Sequence, residues 1–140
     1  MEKFRLPVEE FTTPDPVTAP EDASIDELSE LMAKHGVRHI PIVKDDRVVG
    51  VVSDRDLKLV KGLDLKEKML VSAADIMARD PVSVESSTPL DEVAFEMSKR
   101  KIGSVIVNEN GKLLGIFTVT DALNALIEIL RAIPVESEEA

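Results

Sequence analysis

Gly50-Val51-Val52-Ser53-Asp54-Arg55-Asp56 decides the reading of this chain, because it returns as Gly115-Ile116-Phe117-Thr118-Val119-Thr120-Asp121. Gly115 follows Gly50 by 65 residues, and Asp121 follows Asp56 by the same 65. Each copy runs glycine, two apolar residues, a hydroxyl residue, two variable residues and aspartate. Such a segment is the end of a strand turning into a helix, with the hydroxyl in the turn and the aspartate in the first helical turn. That geometry suits a ligand that carries hydroxyls and an anionic group.

Working outward, the first copy is preceded by a capping-box pattern, Ser24 followed by Glu27, and by apolar residues at helical spacing: Ile25, Leu28, Leu31 and Met32. Gly36 closes that helix. Ile40, Ile42 and Val43 form a strand, Lys44 to Arg47 a turn, and Val48 to Val52 the returning strand. A helix follows over Asp54 to Val60, then a charged helix end or linker over Lys61 to Lys68. Upstream, Pro7 to Phe11 reads as a short helix and Val17-Thr18 as the start of a short strand.

The second copy repeats this order. Ser72 caps a short helix reaching Met77, and Asp80-Pro81-Val82 matches Asp15-Pro16-Val17. Thr88 is the hydroxyl cap and Pro89 the first-turn residue of a helix whose apolar face is Leu90, Val93, Ala94 and Met97. Val105 to Val107 and Leu113 to Phe117 are strands around the turn signal Asn110-Gly111. Leu123, Leu126, Ile127 and Leu130 line a final helix that Ile133-Pro134 stops. Met1 to Lys3 fray, and Glu136 to Ala140 form a solvated acidic tail. Asp26/Asp91, Glu27/Glu92, Met32/Met97 and Lys34/Lys99 are identical at the same displacement, without a gap. One supersecondary unit is used twice. Each unit reads helix, strand, helix, strand, strand, helix, which predicts an α+β fold with mixed sheets, two related halves about an approximate twofold axis, and two equivalent clefts between them.

Composition narrows the function. The 140 residues are 44% apolar, enough for one packed domain. The net charge of −10 and the absence of tryptophan and tyrosine argue against nucleic-acid binding through a basic field or stacking platforms. No apolar run approaches a membrane span, and the first residues lack a signal-peptide core, which favours a cytoplasmic location. Cysteine is absent, so disulfides, thiolate ligands and a cysteine nucleophile are excluded. His35 and His39 stand in separate contexts and make no metal site. His35 reads as a helix-end residue, and Met32, Met69, Met77 and Met97 as packing residues. Asp26-Glu27 and Asp91-Glu92 lie in first helical turns, where negative charge suits the helix dipole. No nucleophile–base pair or phosphate loop with lysine is present, so the expectation is a protein without catalytic residues.

Asp75-Ile76-Met77 leading to Asp80-Pro81-Val82, the stretch Val37-Arg38-His39-Ile40-Pro41-Ile42-Val43, and the two Gly-to-Asp segments together resemble the cystathionine-β-synthase (CBS) domain family. The resemblance covers about residues 6 to 130 and is to the tandem form, the Bateman module, here as a stand-alone protein. It places repeat 1 at 6–68, repeat 2 at 69–130 and an acidic tail at 131–140.

The family implies a regulatory module that takes an adenine nucleotide (AMP, ADP or ATP) or a related adenosyl ligand as effector, needs no cofactor, and controls a partner protein. It further implies a disc-like homodimer, to which the terminal apolar helix would contribute. Carried over, one cleft combines Thr118, Thr120 and Asp121 with Val37, Arg38 and His39. The other combines Ser53, Arg55 and Asp56 with Ile102, Gly103 and Ser104. In this pattern the hydroxyl meets phosphate or ribose and the aspartate holds the ribose diol. The physics agrees: a carboxylate can accept two hydrogen bonds from a vicinal diol, and an arginine fork fits phosphate. Only the first repeat has the Arg38-His39 pair, so the cleft with Asp121 is expected to take a phosphorylated nucleotide better. The alternatives are a sensor of an S-adenosylmethionine-type ligand and a ligand-independent dimerising scaffold. A scaffold has no need to keep both aspartates. The plainer role for Asp56 and Asp121 is to cap their helices.

Overall fold

The computed structural model describes residues 5–134; the expectations for Met1 to Lys3 and for Glu136 to Ala140 lie outside the described residues. After a 3₁₀ turn at Val8–Phe11 come β1 (Thr13–Pro14), β2 (Ala19–Pro20), α1 (Ile25–His35), β3 (His39–Lys44), β4 (Arg47–Ser53) and α2 (Asp54–Val60). Then follow α3 (Leu65–Lys68), α4 (Ala73–Ile76), β5 (Ala78–Arg79), β6 (Ser83–Glu85), α5 (Leu90–Arg100), β7 (Ser104–Glu109), β8 (Lys112–Thr118) and α6 (Val119–Ala132).

Local chemistry sets most of these bounds. Ser24 Oγ accepts the Glu27 N–H at 3.1 Å and starts α1, and Gly36 ends it in the left-handed region at φ 63. The hairpin joining β3 to β4 turns through Asp45 and Asp46, and its sister through Asn110 and Gly111; all four have positive φ, as a two-residue hairpin turn of matching twist requires. The charged stretch after α2 contains a separate short helix, α3, capped by Asp64, whose carboxylate accepts the Glu67 N–H at 2.8 Å.

Three expectations need correction. The short strand expected to start at Val17-Thr18 is β2 and starts only at Ala19, where parallel pairing to β3 begins opposite Ile42. Thr88 does not cap α5. Pro89 takes that position and has no side-chain acceptor, so the first helical N–H, of Leu90, goes to the Leu6 carbonyl at 2.7 Å. Ala94 is exposed and lies outside the buried face of α5, which consists of Val93 and Met97.

Two four-stranded mixed sheets result, ordered β1-β8-β7-β6 and β2-β3-β4-β5, and the fold is α+β. The opening strand of each repeat crosses over: β1 runs antiparallel to β8, and β5 antiparallel to β4. The turns beside these strands cross with them. Val8 is buried with Val93, Met97, Val105, Val107 and Phe117 of the second repeat. Ala73 and Met77 are buried with Ile25, Leu28, Ile40, Ile42, Val52 and Leu57 of the first.

Alternation along the strands then sends Val52 and Phe117 to these cores and their neighbours Val51 and Ile116 to the opposite face. There Val51, Ile116 and Ile106 form a third buried cluster that joins the two sheets. Helix α6 packs through Ala125. Its apolar stripe of Leu123, Leu126, Ile127 and Leu130 faces outward, 44 to 58% exposed.

Candidate functional site

Both Gly-to-Asp segments become the end of a strand and the first turn of a helix. Ser53 ends β4 and caps α2: its Oγ accepts the Asp56 N–H at 3.2 Å, and its own N–H donates to Asp56 Oδ2 at 2.9 Å. Thr118 does the same for α6. Its Oγ1 accepts the Asp121 N–H at 3.3 Å, and its N–H donates to Asp121 Oδ2 at 2.8 Å. The two aspartates are therefore capping-box residues. This local role accounts for the pattern by itself, and it leaves acceptor capacity over.

That capacity differs between the copies. A carboxylate offers about four lone-pair sites. Asp121 Oδ2 also accepts from Thr118 Oγ1 at 3.1 Å, and Asp121 Oδ1 accepts from Thr13 Oγ1 at 3.1 Å. Asp56 Oδ1 has no such partner among the described residues, since the position equivalent to Thr13 is Ala78. Thr13 was missed by sequence reasoning. It comes from the other repeat, on the crossing strand β1.

The glycines of the segments explain that crossing. A Cβ on Gly115 would collide with the Thr13 carbonyl oxygen, and one on Gly50 with the Met77 side chain. A glycine inside a strand marks a close approach of another backbone, and this was the available signal.

The loops preceding β3 and β7 complete the picture. The Arg38 carbonyl accepts the Asp54 N–H at 2.8 Å, and the Gly103 carbonyl accepts the Val119 N–H at 3.1 Å. His39 lies opposite Ser53, and Ser104 opposite Thr118. Val37, His39, Ile102 and Ser104 are half-buried; Arg38, Arg55, Gly103 and Thr120 are exposed.

Burial holds the His39 imidazole below its ordinary pKa. Asp56 opposes this, Arg38 adds to it, and Asp121 and Asp54 oppose it more weakly. The charges of both aspartates thus reach one histidine. Asp54 is held below the usual carboxylate range by a hydrogen bond from Lys58, 3.0 Å away.

A cavity of about 220 Å³ lies at the other end of the strands, among Asp46, Arg47, Val48, Pro81, Ser83 and Ile106; none of the candidate residues lines it. No helix among the described residues is long and apolar enough to cross a membrane.

The family model for the CBS domain matches residues 8–60 and 73–128, and the chain belongs to that family as a pair of CBS repeats. It is 31% identical over 114 residues to an inosine-5'-monophosphate dehydrogenase of Korarchaeum cryptofilum, a match that covers 81% of this chain and 23% of that enzyme. The chain thus spans under a quarter of the length of that relative. Among solved structures, CBSX2 in complex with AMP superposes with a TM-score of 0.75 at 29% identity, over 89% of this chain and 98% of that one. The CBS domain pair of protein MJ0100, in complex with 5'-methylthioadenosine and S-adenosyl-L-methionine, superposes with a TM-score of 0.79 at 27% identity, over 90% of this chain and 99% of that one.

Proposed function

We propose that this CBS pair is a regulatory module that binds an adenine nucleotide (AMP, ADP or ATP) and transmits its occupancy to a partner protein. One observation carries the reading: at each Gly-to-Asp turn a capping aspartate with spare acceptor sites stands beside a strand delivered by the other repeat. A ligand seated there touches both repeats. It shifts the population between two arrangements in proportion to its differential affinity for them.

In this reading Asp56 and Asp121 accept from the ribose hydroxyls, and Ser53 and Thr118 face phosphate or ribose. Arg38 and His39 serve the phosphate in one cleft, with Val37 packing on the ring and Thr120 at the rim. Arg55, with Ile102, Gly103 and Ser104, serves the other. The likeness to structures holding AMP in one case and S-adenosyl-L-methionine in another supports an adenosyl ligand. The outward apolar stripe of α6 supports a homodimer, and the location is cytoplasmic.

The test is thermal melting with and without millimolar AMP, ATP or S-adenosylmethionine. A ligand that binds only the folded state raises the midpoint. A rise with AMP or ATP is the expected result, and a rise with S-adenosylmethionine alone reassigns the ligand. No rise with any of them favours the second reading, a dimerising scaffold. That reading has its own support, because both aspartates are already used as helix caps.

A further inference from the structure

One side chain of the first repeat, His39, reaches a loop of the second. The position that a Cβ would take on Gly103 lies 3.6 Å from His39 Nε2, so the imidazole of the first repeat lies against the loop that opens the second repeat's sheet. His39 stands opposite Ser53, the cap of α2. Gly103 holds the first N–H of α6 through its carbonyl. His39 is therefore tied to the start of α2 by its strand pairing, and its ring lies against the loop that holds the start of α6.

The charged groups around it come from every side. Asp56 and Asp54 act on it from α2, Asp121 from α6 and Arg38 from its own segment. Gly103 and Ser104, at the start of β7, bring no charge. His39 is thus a titratable group on which carboxylates of both repeats act.

We propose that His39 is a proton-binding bridge shared by the two clefts, so that an anion bound in either is accompanied by proton uptake at the same imidazole. Burial disfavours the charged ring and lowers its pKa. A phosphate brought close favours the imidazolium, because an opposite charge within a few ångströms stabilises the charged form. The identity of that anion rests on the nucleotide reading above. The sharing between clefts does not, and it can be measured without ligand.

The chain has two histidines, His35 and His39, which makes proton NMR of the ring hydrogens direct; His39→Gln assigns the two signals, and His35 serves as an internal control. In the ligand-free protein, Asp56→Asn and Asp121→Asn each remove one carboxylate while keeping the side-chain shape. Each is expected to lower the His39 midpoint by a few tenths of a pH unit or more, on the scale of ordinary charge effects. A midpoint that responds to only one replacement, or to neither, overturns the bridge.

The unmodified protein supplies the second arm. Saturating AMP is expected to raise the His39 midpoint by about half a pH unit or more and to leave His35 in place. AMP that raises the melting temperature but leaves His39 unmoved overturns proton linkage. AMP that does not raise the melting temperature counts against the nucleotide reading, and the aspartate replacements then decide the bridge alone.

Discussion

Thr13 and Asp121 belong to different repeats, and the Thr13 hydroxyl donates to Asp121 Oδ1 at 3.1 Å. The contact exists because β1 lies on β8 with Thr13 opposite Ile116 and Pro14 opposite Gly115. Gly115→Ala would drive a methyl group into the Thr13 carbonyl, which is backbone and cannot swing aside. Gly50→Ala meets the unbranched side chain of Met77 first, with the Ala78 carbonyl at 3.0 Å, and methionine repacks readily. Gly115→Ala is expected to cost roughly 1–3 kcal/mol, and Gly50→Ala less. Urea denaturation of both variants gives the order; a larger loss at Gly50 contradicts this account of the crossing.

Lys101 ends α5 in the left-handed region at φ 56, where its sister Gly36 ends α1 at φ 63. A side chain there is strained and glycine is not. Lys101→Gly is expected to raise stability by about 0.5–1 kcal/mol. Equilibrium denaturation with an unchanged m-value would show it, and a loss would mean that the Lys101 side chain makes a contact worth more than the strain.

The halves, the helices and the hairpins were legible because each depends on residues close in sequence: Ser24 with Glu27, Gly36 after Met32, Asn110 with Gly111. The crossing of β1 and β5 was not. It pairs Thr13 with Ile116 and Ala78 with Val51, residues of different repeats, and no local period encodes such pairings. The glycines of the repeated segment were read as part of a strand end, although their cause is the strand lying over them. Periodicity also showed that α6 has an apolar stripe without showing which side is wet. Ala125 turned out to face the core, and Leu123 and Leu126 the outside. In the candidate site, Ser53, Asp56, Thr118 and Asp121 were legible as two turns of one kind. Thr13 was not, because it arrives from the other repeat.

His39 makes stability depend on pH. Its folded pKa is lowered by burial, so between the folded value and the unfolded value the unfolded chain binds more protons. Stability then rises with pH through that window and falls on acidification below the ordinary histidine pKa, 6.5. The stability of His39→Gln should change less than that of the natural chain between pH 8 and the acid side of this window. Melting midpoints across pH give the comparison, and parallel curves for the two proteins refute it.

The outward stripe of α6 separates folding from assembly. Phe117 is fully buried, and Phe117→Ala is expected to cost about 3–5 kcal/mol. Leu126 is 51% exposed, and Leu126→Glu should leave the fold in place while converting a dimer to a monomer. Sedimentation at several concentrations, with circular dichroism as the check on folding, reads both. A natural chain that is monomeric at high concentration removes the proposed role of this face.

The two clefts can be ranked by removing one aspartate at a time. Asp56→Ala and Asp121→Ala each dissolve a capping box, with a stability cost of about 1 kcal/mol in either case, so the comparison must be made on affinity and not on melting. Asp121 already receives Thr118 and Thr13 hydroxyls, but hydroxyls rotate and can yield to a ribose diol. Asp56 has more free acceptor sites, which favours its cleft for the diol alone. The phosphate reverses that order, because Arg38 can supply a bidentate fork and His39 a proton, whereas Ile102, Gly103 and Ser104 bring no charge to the other cleft and leave Arg55 alone there. Loss of a hydrogen bond to a charged group is worth roughly 10-fold or more in affinity. Calorimetric titration with AMP should therefore show the larger loss for Asp121→Ala, and titration with adenosine, which lacks the phosphate, should narrow or invert the difference. A larger loss of AMP affinity from Asp56→Ala would mean that the diol, and not the phosphate, decides which cleft fills first.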